Sequence, residues 1–223
     1  MTTREKTCCF SGHRPMKLPW GMRESDERCI AAKAWITGQL KELYALGYRR
    51  FLCGMAIGCD TYFAEAVLAL KEEHRDVTLE AAIPCADQAN RWNRKQQETY
   101  QALLSRCDAS KIFQEHYTPG CMQMRNTYMV DNSSAMLACY DGRPGGTMST
   151  LLYAKREGLD IRILDIEVPI RRNAELSVPV DYCRTAFRPD LDPGVPLFHT
   201  VIDLVRHTLD DDSLLFRSDD RAL

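Results

Sequence analysis

The sequence predicts an α/β domain built on a doubly wound, mainly parallel sheet with helices on both faces, followed by a C-terminal extension. Three observations predict it. Short apolar, β-rich runs alternate with longer, helically spaced segments from the N-terminus to about residue 166. One run, Ala135-Met-Leu-Ala-Cys-Tyr140, is apolar throughout, as a central parallel strand buried on both faces should be. Several of the runs end in glycine-bearing loops, which a tight strand-to-helix turn requires.

Taken in order, the first strand is Thr7-Cys8-Cys9-Phe10-Ser11, ending in Gly12-His13-Arg14-Pro15. Ser25 is the expected cap of a helix that carries Ile30, Ala34, Leu40, Leu43 and Tyr44 and closes at Gly47. Arg50 to Cys53 reads as a second strand, followed by the loop Gly54 to Asp60 and a helix from Thr61 to His74. Val77 to Ile83 gives a third strand, ending at Pro84. A polar, exposed helix is expected over Asp87 to Arg106, and a short strand over Ala109 to Phe113. Met122 to Asp131 has helical spacing. The strand Ala135 to Tyr140, the loop Asp141 to Gly146, a helix from Thr147 to Glu157 and a strand Ile161 to Leu164 complete the alternation. Right-handed crossovers then set a single doubly wound sheet.

The chain divides near residue 166. Residues 166–223 hold five of the ten prolines, with seven basic and eleven acidic residues, so they carry −4 of an overall −2 and leave residues 1–165 at +2. Pro196 to Leu209 is expected to form an amphipathic helix through Leu197, Val201, Leu204 and Val205. This extension is expected to dock on the main domain or on a partner subunit, which keeps a homodimer open.

Composition narrows the class. At 45% hydrophobic and 27% charged residues the chain is neither disordered nor fibrous. Its 29 Lys and Arg against 31 Asp and Glu remove the broad basic field of a protein that coats DNA or RNA, so nucleic acid is not an expected partner. Ten cysteines without a leader segment point to reduced thiols and a cytoplasmic location. No CxxC occurs, and Cys53 and Cys59 are not spaced as a structural zinc pair, so no metal is expected. No apolar stretch is long enough to span a membrane.

In an open parallel sheet, ligands bind outside the carboxyl ends of the strands, where strand order reverses. Three loops fall at that end. Gly12, His13 and Arg14 combine close backbone approach with two groups able to meet an anion. Gly54-x-x-x-Gly58-x-Asp60 suits phosphate at a helix N-terminus, with Asp60 as the helix cap or as an acceptor for a ribose hydroxyl. Gly145, Gly146, Thr147, Ser149 and Thr150 open a helix with glycine and hydroxyl groups. There is no P-loop lysine, no G-x-G-x-x-G and no G-x-S-x-G, so those chemistries are excluded.

A first strand ending GHRP, a second ending GxxxGxD, and a late apolar strand followed by GGT-x-S resemble the SLOG superfamily. This is the Rossmann-like fold shared by Smf/DprA and the Lonely Guy phosphoribohydrolases. Ile83-Pro84, Gln88, Trp92 and the segment from Arg125-Asn126 to Asp131 are similar to its YpsA-like bacterial branch, and the likeness spans residues 5–165. The resemblance implies a nucleotide or nucleotide-derived, phosphate-bearing ligand at the glycine loops, with no further cofactor required. It does not bring the hydrolytic acid. Lonely Guy enzymes carry PGGxGTxxE, whereas Pro144 to Leu152 here contains no carboxylate. Hydrolysis would therefore draw on Asp60, Glu65 or Asp141.

Arg125 and Asn126 are read as a clamp for phosphate and base, or as surface residues beside a helix cap. Trp92, with Arg91 and Arg94, is read as a stacking lid or as the docking residue of its helix. His13 is expected to act as a phosphate donor, because no catalytic partner is near it in sequence. Cys59 is the cysteine placed for reactivity, at a helix N-terminus, with packing as its alternative role. The leading expectation is a nucleotide-binding sensor; a nucleoside monophosphate phosphoribohydrolase comes second, and a DNA-associated protein of the Smf/DprA type third.

Overall fold

A computed structural model describes residues 3–167. Six parallel strands form one sheet in the order β4-β3-β2-β1-β5-β6. They are β1 (Thr7–Gly12), β2 (Arg50–Cys53), β3 (Thr78–Ile83), β4 (Ala109–Ile112), β5 (Ala135–Tyr140) and β6 (Asp160–Asp165). The helices are α1 (Glu27–Ala45), α2 (Cys59–Glu73), α3 (Arg94–Leu104), α4 (Cys121–Asp131) and α5 (Gly146–Arg156). The expected doubly wound architecture is the observed one.

The two-residue period of the strands sorts side chains to two cores. Cys8, Phe10, Leu137 and Cys139 join Trp35, Ile36, Phe63 and Val67 of α1 and α2 on one face. Cys9, Met136, Ala138 and Tyr140 join Met129 of α4 and Leu151 and Leu152 of α5 on the other. All six residues of β5 are buried, which accounts for its unbroken apolar run. β4 is an edge strand whose four residues are all exposed.

Strand order runs outward in both directions from β1, towards β2 on one side and β5 on the other. The reversal lies between β1 and β5, whose register pairs Gly12 with Cys139. Their loops, Gly12-His13-Arg14 and Asp141 to Gly145, therefore leave the sheet side by side, and the crevice between them is the switch point.

Two expectations about boundaries are corrected. α1 is capped by Asp26, whose carboxylate accepts from the Arg28 amide at 3.0 Å, and not by Ser25. α3 begins only at Arg94, because the Asn93 side chain and Gln96 form a reciprocal capping box; the segment from Asp87 onward is turn. The expected helix over Pro196 to Leu209 and Cys183 lie outside the described residues. Among those described, no helix is long and apolar enough to cross a membrane.

Candidate functional site

The loop after β1 is packed against the start of α2. The Cys59 amide donates to the His13 carbonyl at 3.2 Å. A Cβ on Gly12 would lie 2.4 Å from the Cys59 Cβ, and one on Gly58 would lie 2.7 Å from that same carbonyl. Both glycines are thus required by contacts within the protein. Cys59 is fully buried in this packing, in keeping with the packing alternative for this residue.

Gly54 is tighter still. A Cβ there would lie 1.5 Å from Nη1 of Arg125, so the guanidinium rests directly on the β2 loop. The loop is held in place from β3's side: Gln88 Nε2 donates to the carbonyls of Gly54 (3.4 Å) and Met55 (3.1 Å). Met55 adopts φ 56°, unusual for a residue with a side chain.

Arg125 sits within α4 and is buried, its side chain 9% exposed. Nε and Nη1 have no hydrogen-bond partner, and the nearest carboxylate oxygen, Asp60 Oδ2, is 4.0 Å away. A buried guanidinium with open donors is costly unless something pairs with it. Asp60 belongs to the first turn of α2, behind the Gly58 N-cap, and accepts from the Ala56 amide at 3.2 Å. Burial pushes the Asp60 carboxyl above its ordinary range; Arg125 opposes this without overcoming it. Burial likewise pulls Arg125 below its ordinary value, but a guanidinium stays charged. Arg14 is exposed at the same end.

At the other end, His13 and Asp141 meet across the switch point. His13 Nε2 lies 2.7 Å from Asp141 Oδ1, with both side chains about 5% exposed or less. The second ring nitrogen, Nδ1, is 3.5 Å from Thr147 Oγ1 at the start of α5. Burial is the main influence on His13 and lowers its pKa; Asp141 acts in the opposite sense. His13 thus has the carboxylate partner that its sequence neighbourhood lacks.

The hydroxyls of the cluster have different partners. Ser149 Oγ donates to the Gly145 carbonyl (3.2 Å) and Thr150 Oγ1 to the Gly146 carbonyl (2.8 Å). Asn126 Nδ2 donates to Thr150 Oγ1 at 2.8 Å, so Asn126 ties α4 to α5. Of these hydroxyls, Thr147's faces His13. α5 has no side-chain cap, and a Cβ on Gly146 would meet nothing within 4 Å. Beside it opens a cleft of about 370 Å³ lined by Lys17, Asp141, Arg143 and Glu167.

Two expected participants are placed elsewhere. Glu65 faces Lys33 of α1 at 3.8 Å. Trp92 packs edge-on against Tyr100, with ring centroids 5.4 Å apart, as the docking residue of its segment. Lys17, a residue the sequence does not single out, stands 3.0 Å from where a Gly145 Cβ would be. Among the described residues no group of three or more His, Cys, Asp or Glu could hold a metal ion.

The family model for YpsA, described as the YspA SLOG family, matches residues 8–166. The chain belongs to the YspA SLOG family. It is similar to the Uncharacterized SPbeta prophage-derived protein YoqJ of Bacillus subtilis (strain 168). The two are 31% identical over 153 residues, 63% of this chain and 85% of YoqJ. A UPF0398 protein of Bacillus pumilus (strain SAFR-032) is 25% identical over 178 residues, 78% of this chain and 95% of that one. The UPF0398 protein YpsA of Bacillus subtilis (strain 168) is 25% identical over 150 residues, 66% and 82% of the two chains. Among solved structures, DNA processing protein A (DprA) from Streptococcus pneumoniae superposes with a TM-score of 0.47 at 16% identity, covering 92% of this chain. The chain spans 56% of the length of that protein.

Proposed function

We infer that this SLOG protein binds a nucleotide or nucleotide-derived ligand in the switch-point crevice and acts as a sensor or adaptor, not as a fast enzyme. One observation carries the reading: Arg125 is a buried cation with unpaired donors, set against a glycine loop and a helix N-terminus. A phosphate or similar oxyanion supplies the missing acceptors. The ligand would run from there past His13 to the open start of α5, where uncapped amides and the cleft beside Lys17 and Arg143 receive its far end. The cleft is within the usual volume range of small-molecule sites.

Calorimetric titration of the full chain with nucleoside mono- and diphosphates and nucleotide sugars tests this. Arg125→Met is expected to weaken binding about tenfold or more, the loss of a charge-assisted hydrogen bond. Gly146→Glu is expected to abolish binding while leaving the melting temperature near wild type, because the position is open to a side chain. No binding, or binding indifferent to Gly146→Glu, rejects the reading.

A second reading is favoured by the 2.7 Å contact between His13 and Asp141. A histidine oriented by a carboxylate beside a ligand crevice is the arrangement general acid–base catalysis uses. Under this reading the protein is a phosphoribohydrolase-like enzyme whose acid is Asp141 or Asp60. Release of free base from a nucleoside monophosphate, lost in Asp141→Asn or Asp60→Asn, would establish it.

A further inference from the structure

The contacts of His13 fix where protons sit. Asp141 Oδ1 at 2.7 Å from Nε2 requires a proton between them, since an ionised carboxylate facing a bare ring nitrogen would set lone pair against lone pair. This outranks the longer approach of the Asp141 amide to the same nitrogen, at 3.3 Å. The neutral ring is therefore protonated on Nε2, and Nδ1 carries only a lone pair. Across 3.5 Å, the proton that can fill the contact is the hydroxyl proton of Thr147. A threonine hydroxyl has one proton. Directed at Nδ1, it leaves only oxygen lone pairs towards the start of α5, and lone pairs repel an anion. When the ring is protonated, Nδ1–H donates to Thr147 Oγ1, and the hydroxyl proton turns outward as a donor.

We propose that His13 takes up one proton when an anionic group binds beside Thr147, so that the Asp141–His13–Thr147 chain sets which ligand charge the α5 end accepts. With the ring neutral this end takes a hydrogen-bond donor, such as a sugar hydroxyl; with the ring charged it takes an oxyanion. The step is balanced: one solvent proton adds to Nδ1, the hydroxyl rotates, and no covalent bond to carbon breaks. The inference rests on the ligand site assigned above.

The charges around the ring are consistent with such a device. Asp141 in the β5 loop and Glu167 after β6 favour ring protonation, while Lys17 in the turn after β1 opposes it, as does burial. Tyr140 lies alongside, with ring centroids 5.8 Å apart. Across the β2 loop, Asp60 and Arg125 oppose one another. An arriving anion adds the counter-charge that raises the histidine's proton affinity.

Sulfate is a suitable probe, because it does not itself titrate between pH 5.5 and about 8. Calorimetry of the full chain with sulfate, in buffers of differing ionisation enthalpy, is expected to show uptake approaching one proton, with affinity falling about tenfold per pH unit above the histidine's pKa. His13→Gln and Thr147→Val should each remove the proton uptake; the second keeps the ring and guards against a folding failure in the first. Binding without uptake, or uptake that persists in both variants, overturns the proposal. Sulfate that fails to bind at every pH overturns it too, and AMP titrated in parallel then tells whether the nucleotide site itself stands.

Discussion

The glycine loops after β2 and β5 look alike in sequence and differ in what their glycines face. In the β2 loop the space beside each glycine is already filled: Arg125 Nη1 would lie 1.5 Å from a Cβ on Gly54, and the His13 carbonyl 2.7 Å from one on Gly58. In the β5 loop, Gly142 and Gly146 would meet nothing within 4 Å. The β2-loop glycines are packed by the protein's own atoms, whereas in the β5 loop only Gly145 is, against Lys17. A glycine motif after a strand therefore marks close approach without saying what approaches.

The largest effect that would sharpen this contrast is on stability. Gly54→Ala must displace a buried guanidinium and is expected to cost about 1–3 kcal/mol in urea unfolding, the range for overpacking. Gly146→Ala, on the open helix start, should be neutral or stabilising by up to about 1 kcal/mol. Equal costs at both positions would break the comparison.

Next in size is the buried pair behind Gly54. Arg125→Met alone should cost roughly 3 kcal/mol, because it leaves Asp60 buried without its counter-charge, whereas Asp60→Asn should cost less, because burial already disfavours the charged carboxyl. The double substitution should recover most of that loss in the same unfolding assay. Additive losses would show that the two groups do not interact.

A smaller, pH-dependent effect separates the two loops by sign. The Asp60 pKa is raised in the folded state, so its contribution is present below the ordinary carboxylate range and is lost as pH rises through the folded value. The His13 pKa is lowered, so its contribution is present above the ordinary histidine value and is lost as pH falls below it. Stability measured against pH should lose the first dependence in Asp60→Asn and the second in His13→Gln. The smallest effect is expected from Glu65→Gln, which should leave ligand affinity within error because Glu65 faces Lys33.

The parts of the fold legible in sequence are those whose signal is local. β5 declares itself because a strand buried on both faces tends to a near-continuous apolar run, and the glycine loops because tight turns need them. The start of α3 is hidden because Asp87 to Trp92 is polar enough to suit a helix, while the capping box at Asn93 decides the boundary. In the candidate site, all three loops are legible, but their internal wiring is not. His13 and Asp141 are 128 residues apart and meet only because β1 and β5 are neighbours in the sheet. Arg125 reads as a phosphate clamp or as a surface residue of α4, and nothing around it in sequence announces that it is buried on Gly54.

The most direct measurement is a two-dimensional NMR titration of the isotope-labelled full chain with AMP, following the amides of Gly54, Gly146 and Thr147 and the Nε–H of Arg125. These resonances are expected to shift together and saturably, with the Gly146 and Thr147 amides among the largest changes. Unmoved resonances at saturating nucleotide, or changes confined to the exposed edge strand β4, would contradict it.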